Sequence, residues 1–121
     1  MEKQGTISIW LGNVKKESFL EEYVNLTYDE EGESVPSKFF IDFNIEIDED
    51  FIEKAMLDEH SNDISFLLKG CSYEEIIIRK IKHIKLTRSY NAVILIYNFE
   101  YNNEINSTGE FDFITSTRYL Q

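Results

Sequence analysis

The sequence predicts an α+β domain: a mostly antiparallel sheet with helices packed on it, in the order β-α-α-β-α-α-β-β. Three observations carry this. Stretches rich in β-branched and aromatic residues recur at 6–11, 51–57, 92–101 and 111–119. Between the first three lie segments whose apolar residues repeat at intervals of three and four, the helical period. The last two stretches follow each other across a turn-rich connection at 102–109, as the arms of a hairpin would. The 121 residues make one ordinary domain, 1–121, and a 42% hydrophobic content is enough for a real core.

The elements follow in order. Thr6–Leu11 (TISIWL) is a first strand, ended by Gly12-Asn13. Lys16–Leu26 carries Phe19, Leu20, Tyr23, Val24 and Leu26 on one helical stripe. Trp10, near the strand end, is a core residue whose indole N–H needs a partner. Thr27–Val35 is an acidic loop, held extended by repulsion among Asp29, Glu30, Glu31 and Glu33. Pro36 suits the first turn of a helix that presents Phe39, Phe40 and Phe43 on one face. Phe51–Leu57 alternates imperfectly as a strand. Asp63–Lys69 is a short helix stopped by Gly70. Ser72 and Glu75 have the spacing of a capping box ahead of a helix that buries Tyr73, Ile76, Ile77, Ile81 and Ile84. Its early Glu74 and Glu75 and late Lys80, Lys82, Lys85 and Arg88 complement the helix dipole. Ala92–Tyr101 is the strongest strand and central, and Phe111–Tyr119 pairs with it.

Charge narrows the function. Residues 1–63 hold 17 acidic and 5 basic side chains, a balance of −12, so the net −11 belongs to the first half. A field of that sign repels nucleic acid and anionic membranes and draws in basic partners. The single cysteine, Cys71, allows no intrachain disulfide. The N-terminal MEKQGTISIWLG lacks a signal peptide's apolar core, and the longest apolar run is too short to span a bilayer. Together these predict a soluble cytoplasmic protein.

Catalytic and metal motifs are weak. Asp42 to Glu53 offers oxygens at the EF-hand positions one, three, five, nine and twelve (Asp42, Asn44, Glu46, Asp50, Glu53). Ile47 stands where the loop needs glycine for its sharp turn, so no metal is expected. His60 and His83 belong to no zinc motif, and Asp58-Glu59-His60 is read as a polar turn. Cys71 precedes a helix N-terminus that would lower its pKa, but no base accompanies it. No catalytic residue and no cofactor are assigned. The acidic loop remains either a plain solvated loop or a docking surface for a basic protein. The candidate partner-binding residues are Tyr23 and Tyr28 beside Asp29, Glu30, Glu31 and Glu33, with Asp48, Glu49 and Asp50 as a second acidic lobe.

Ordered features along nearly the whole chain bear on the choice. These are Ser8-Ile-Trp-Leu-Gly12, Glu21-Glu-Tyr-Val24, and Tyr28-Asp-Glu-Glu-Gly32 leading to Pro36-Ser37 and Phe39. Asp50-Phe-Ile-Glu53, Leu68-Lys-Gly70 with Ser72-Tyr73, and the Ala92–Tyr101 strand complete them. In their order and spacing the chain resembles the immunity protein 22 family, found beside bacterial polymorphic toxins. The resemblance implies a cytoplasmic, non-enzymatic protein that binds and neutralises a cognate toxin, often a nuclease. Two other classes stay open: a small metal-binding or hydrolytic domain using the acidic clusters, and an acidic adaptor for another basic protein.

Overall fold

A computed structural model describes residues 2–45, 51–101, 105–108 and 110–120. Its elements are β1 (Glu2–Gly12), α1 (Glu17–Val24), β2 (Thr27–Tyr28), β3 (Ser34–Val35), α2 (Lys38–Phe43) and β4 (Ile52–Ser61). After these come α3 (Ile64–Leu67), α4 (Glu74–Ile81), β5 (Tyr90–Phe99), β6 (Ser107–Thr108) and β7 (Phe111–Arg118). Five strands form an antiparallel sheet in the order β4-β5-β1-β7-β6, and β2 pairs with β3 apart from it. The α+β class and the antiparallel sheet are as the sequence predicts.

Helices cover both faces of this sheet. Trp10, Ala92, Ile94, Ile96 and Phe111 pack with Leu20 and Val24 of α1 and with Phe39, Phe40 and Phe43 of α2. Ile7, Ile9, Leu11, Val93 and Leu95 pack with α3 and α4 on the opposite face. Alternate residues of a strand point to opposite faces, so a strand buried on both sides reads as a continuous apolar run. This explains Ala92–Ile96, every residue of which is buried.

The expected hairpin between the last two long strands does not form. β1 lies between them, pairing Trp10 with both Ile94 and Phe113. β1 is buried on both faces from Ile7 to Leu11, so the interior position satisfies its apolar surface and its backbone together.

Local differences have local causes. Ser37 is the N-cap of α2, accepting from the Phe40 N–H at 3.2 Å, so Pro36 sits ahead of the cap rather than in the first turn. The capping box at Ser72 is absent. The Ser72 N–H and hydroxyl both turn to Glu53, Tyr73 takes the cap position at φ +61°, and its ring is exposed. α4 ends at Ile81, so Lys82, Lys85 and Arg88 lie beyond it and Arg79 and Lys80 fill its last turn. Asp63 does cap α3, accepting from the Ser65 N–H, and Gly70 follows at φ +94°. Among the described residues the buried Trp10 indole N–H has no hydrogen-bond acceptor. The rings of Phe39, Phe43, Tyr101 and Phe113 pack round the indole in edge-to-face arrangements at 5.1–5.8 Å.

Candidate functional site

The acidic segment is a closed hairpin rather than an extended loop. Thr27 pairs with Val35 and Tyr28 with Ser34. Asp29 organises the turn: its N–H donates to the Glu33 carbonyl at 2.9 Å, and its carbonyl accepts from the Gly32 N–H at 3.0 Å. Its carboxylate accepts from the Glu31 and Glu33 N–H groups at 2.9 and 3.0 Å. Gly32 supplies the left-handed φ of +83° that closes such a turn without steric cost. Four hydrogen bonds to one residue, two to its backbone and two charge-assisted to its carboxylate, outweigh the screened repulsion between exposed carboxylates. Asp29 is therefore spent on structure, while Glu30, Glu31 and Glu33 are exposed.

Tyr28 stands on this hairpin with 65% of its surface exposed. Val35, 40% exposed, pairs with Thr27 and so points to the opposite face of the hairpin from Tyr28, and Ile41 on α2 is 65% exposed. Between the base of the hairpin and α2 lies a cleft of about 430 Å³ whose lining mixes Leu26, Pro36, Ile41 and Ile45 with the polar Ser34 and Asn44. Sequence reasoning missed Val35 and Ile41. The signal was present for Ile41: an apolar residue on α2 that lies off the buried Phe39, Phe40 and Phe43 stripe.

Tyr23 belongs to different surroundings. It lines a larger cleft of about 840 Å³ bounded by α1, α2, the loop after β1 and one end of the sheet. Its ring stacks on Phe111 at 5.0 Å and 10°, and its hydroxyl donates to Asp42 at 2.9 Å. Burial above all pushes the Tyr23 pKa up; the Thr108 hydroxyl lowers it, and the Asp42 carboxylate raises it further. Lys38 holds both oxygens of the same carboxylate at 3.1 and 3.0 Å. Asn91, buried in β5, clamps the loop after β1. It accepts from the Val14 N–H at 2.9 Å and donates to the Val14 carbonyl at 2.8 Å. α2 is thus a ridge between two clefts, with Lys38 and Asp42 on one flank and Phe40 and Ile41 on the other. Asp48, Glu49 and Asp50 lie outside the described residues.

The remaining candidates are engaged elsewhere. Glu53 accepts from the Tyr97 hydroxyl at 2.5 Å and from Ser72. With Asp42 held by Lys38 and Tyr23, both ends of the EF-hand-like stretch are already paired. Among the described residues no group of three or more His, Cys, Asp or Glu side chains is placed to hold a metal. His60 and His83 are exposed. The expected lowering of the Cys71 pKa is reversed: burial, then Glu53 and Glu74, push the thiol up to about 12. Among the described residues no helix is long and apolar enough to cross a membrane.

A family model described as Immunity protein 22 matches residues 7–119. The chain belongs to that family, and membership supports an immunity function, which implies a toxin as partner. No curated protein and no solved structure matches the chain.

Proposed function

We propose that this member of the Immunity protein 22 family binds a basic toxin, of nuclease type, through the acidic hairpin and the cleft between it and α2. In this reading it blocks the toxin in the cytoplasm of the producing cell and acts as an inhibitor rather than an enzyme. The observation that carries the reading is one hairpin that holds the exposed carboxylates of Glu30, Glu31 and Glu33 and pairs exposed Tyr28 with Ser34, which lines a cleft together with exposed Ile41. Tight interfaces place a few apolar or aromatic anchors at the centre and leave charge to a solvated rim. Here Ile41 and Tyr28 supply the anchors and the three glutamates the rim. Asp29 contributes by keeping the hairpin closed, so little ordering is left to do on binding.

An acidic rim suits a nuclease target, whose substrate groove is basic to hold phosphates. It steers encounter and excludes nucleic acid from the groove it covers. Tyr23 lies across the α2 ridge from this surface and contributes through the larger cleft.

The test is co-expression with the product of the adjacent gene. The wild-type chain is expected to restore growth of cells expressing that product, and Ile41→Asp to lose the protection. Growth arrest that the wild-type chain leaves unchanged contradicts the reading.

A further inference from the structure

We infer that the larger cleft, between α1, α2 and the end of the sheet, is a socket for an arginine side chain presented by the partner. The inference rests on the toxin-binding reading and adds the chemistry of one contact. Three features of the cleft point to that side chain.

First, its walls are apolar and aromatic: Phe19, Tyr23, Met56 and Phe111. The stem of an arginine buries against such walls, and its planar guanidinium stacks on ring faces. Phe19 is 47% exposed, and its ring already meets a cation, the Lys16 ammonium at 5.9 Å from the ring centroid. Second, carboxylates enter from two elements, Asp58 on β4 and Glu110 just before β7. Asp42 also lines the cleft, but Lys38 already neutralises it. Of the charged lining residues, Asp58 and Glu110 then remain against Lys15, an excess of one carboxylate for a cation. Third, the cleft is rigid before any ligand arrives. Asn91 clamps Val14 by two hydrogen bonds, and the Asn13 N–H donates to the Glu110 carbonyl at 3.1 Å. Gly12 lets the Phe111 ring lie across β1, where a Cβ would stand 2.4 Å from it.

Lysine fits less well. Its ammonium is compact and strongly hydrated, and it lacks the planar fork that lies flat on a ring and grips a carboxylate at two points.

The test uses the whole chain and no toxin. ¹⁵N-labelled protein is titrated with N-acetyl-arginine amide, and with the lysine and leucine amides for comparison, while amide shifts are followed by NMR. Saturable shifts are expected at Val14, Phe19, Met56 and Phe111, with the lysine amide roughly tenfold weaker. Asp58→Asn with Glu110→Gln is expected to weaken the arginine amide roughly tenfold as well. The same spectra show whether the double variant is folded. If Glu110→Gln disturbs its turn, Asp58→Asn alone carries the comparison, since that residue is exposed. The inference is overturned by shifts confined to the hairpin, by no saturable shift, by leucine amide binding equally well, or by a folded variant that binds as wild type. Either failure is separable from the other: a failed co-expression test leaves this titration standing, and a failed titration leaves the hairpin reading standing.

Discussion

Replacing Glu30, Glu31 and Glu33 with lysine reverses the hairpin's charge without touching the hydrogen bonds that close it. Only the backbone N–H groups of Glu31 and Glu33 serve the turn, and Asp29 supplies the acceptor. Each reversal adds two charges, so the net charge moves from −11 to −5. Take each carboxylate to meet a toxin cation about 8 Å away through water at the encounter stage. With a Debye length of ~30 Å at 10 mM salt, turning one such attraction into a repulsion slows association about fourfold. Three reversals compound to about 60-fold. At 1 M salt the Debye length is ~3 Å, each reversal costs about 1.1-fold, and the three together about 1.4-fold. Stopped-flow association with the purified toxin at both salt concentrations reads these numbers directly. Asp29→Asn is the control: it removes one charge and keeps the carbonyl acceptor, so about a twofold slowing at low salt is expected. Equal slowing of the triple variant at 10 mM and 1 M salt would refute the steering argument. Unchanged rates at both would take the hairpin out of the interface.

Further predictions concern the frame behind the site. Gly12→Ala drives a Cβ to 2.4 Å from the buried Phe111 ring, which is stacked on Tyr23. A loss of about 1–3 kcal/mol is expected, a fall in Tm of roughly 4–12 °C; an unchanged melt shows that the ring has room to move. Cys71, its thiol raised to about 12, should react with a disulfide reagent at pH 8 about two orders of magnitude more slowly than in the unfolded chain. Matching rates would mean the thiol is neither buried nor beside Glu53 and Glu74. Burial also raises Tyr90, Tyr97, Tyr119 and Tyr23, with Asp112, Glu53, Tyr73 and Asp42 adding to it in turn. Their stability contribution is complete below the unfolded value of about 10 and is lost as pH rises from there towards the folded values. Tyr23 and Tyr97 are partly exposed, so solvent trims their share. The denaturant midpoint should therefore fall between pH 9 and pH 11; a flat profile would show that these hydroxyls ionise freely in the folded protein.

What was legible in the sequence was what local pattern specifies. The Ala92–Ile96 run announced a strand buried on both faces, and Phe39, Phe40 and Phe43 announced the inner side of α2. Asp63 and Gly70 marked the ends of α3 because capping and left-handed turns depend on neighbours in sequence. Long-range competition was not legible. Nothing around Phe111–Arg118 says that Thr6–Gly12 wins the place beside it over β5. Ser72 has the right spacing to cap a helix, yet Glu53, 19 positions earlier, takes both of its donors. Tyr23 and Tyr28, five positions apart, were grouped as anchors; the Asp42 bond and the Phe111 stack put Tyr23 in a different cleft. The acidic cluster was legible as charge, but its order was not, because the Asp29 side chain closes the turn that repulsion alone would open.

Hydrogen exchange on the chain with and without the adjacent gene's product tests the central claim most directly. The account predicts new protection across 27–45, the hairpin and the outer face of α2, with α4 unchanged. Protection confined to α3 and α4, on the opposite face of the sheet, with 27–45 exchanging as in the free chain, would contradict it.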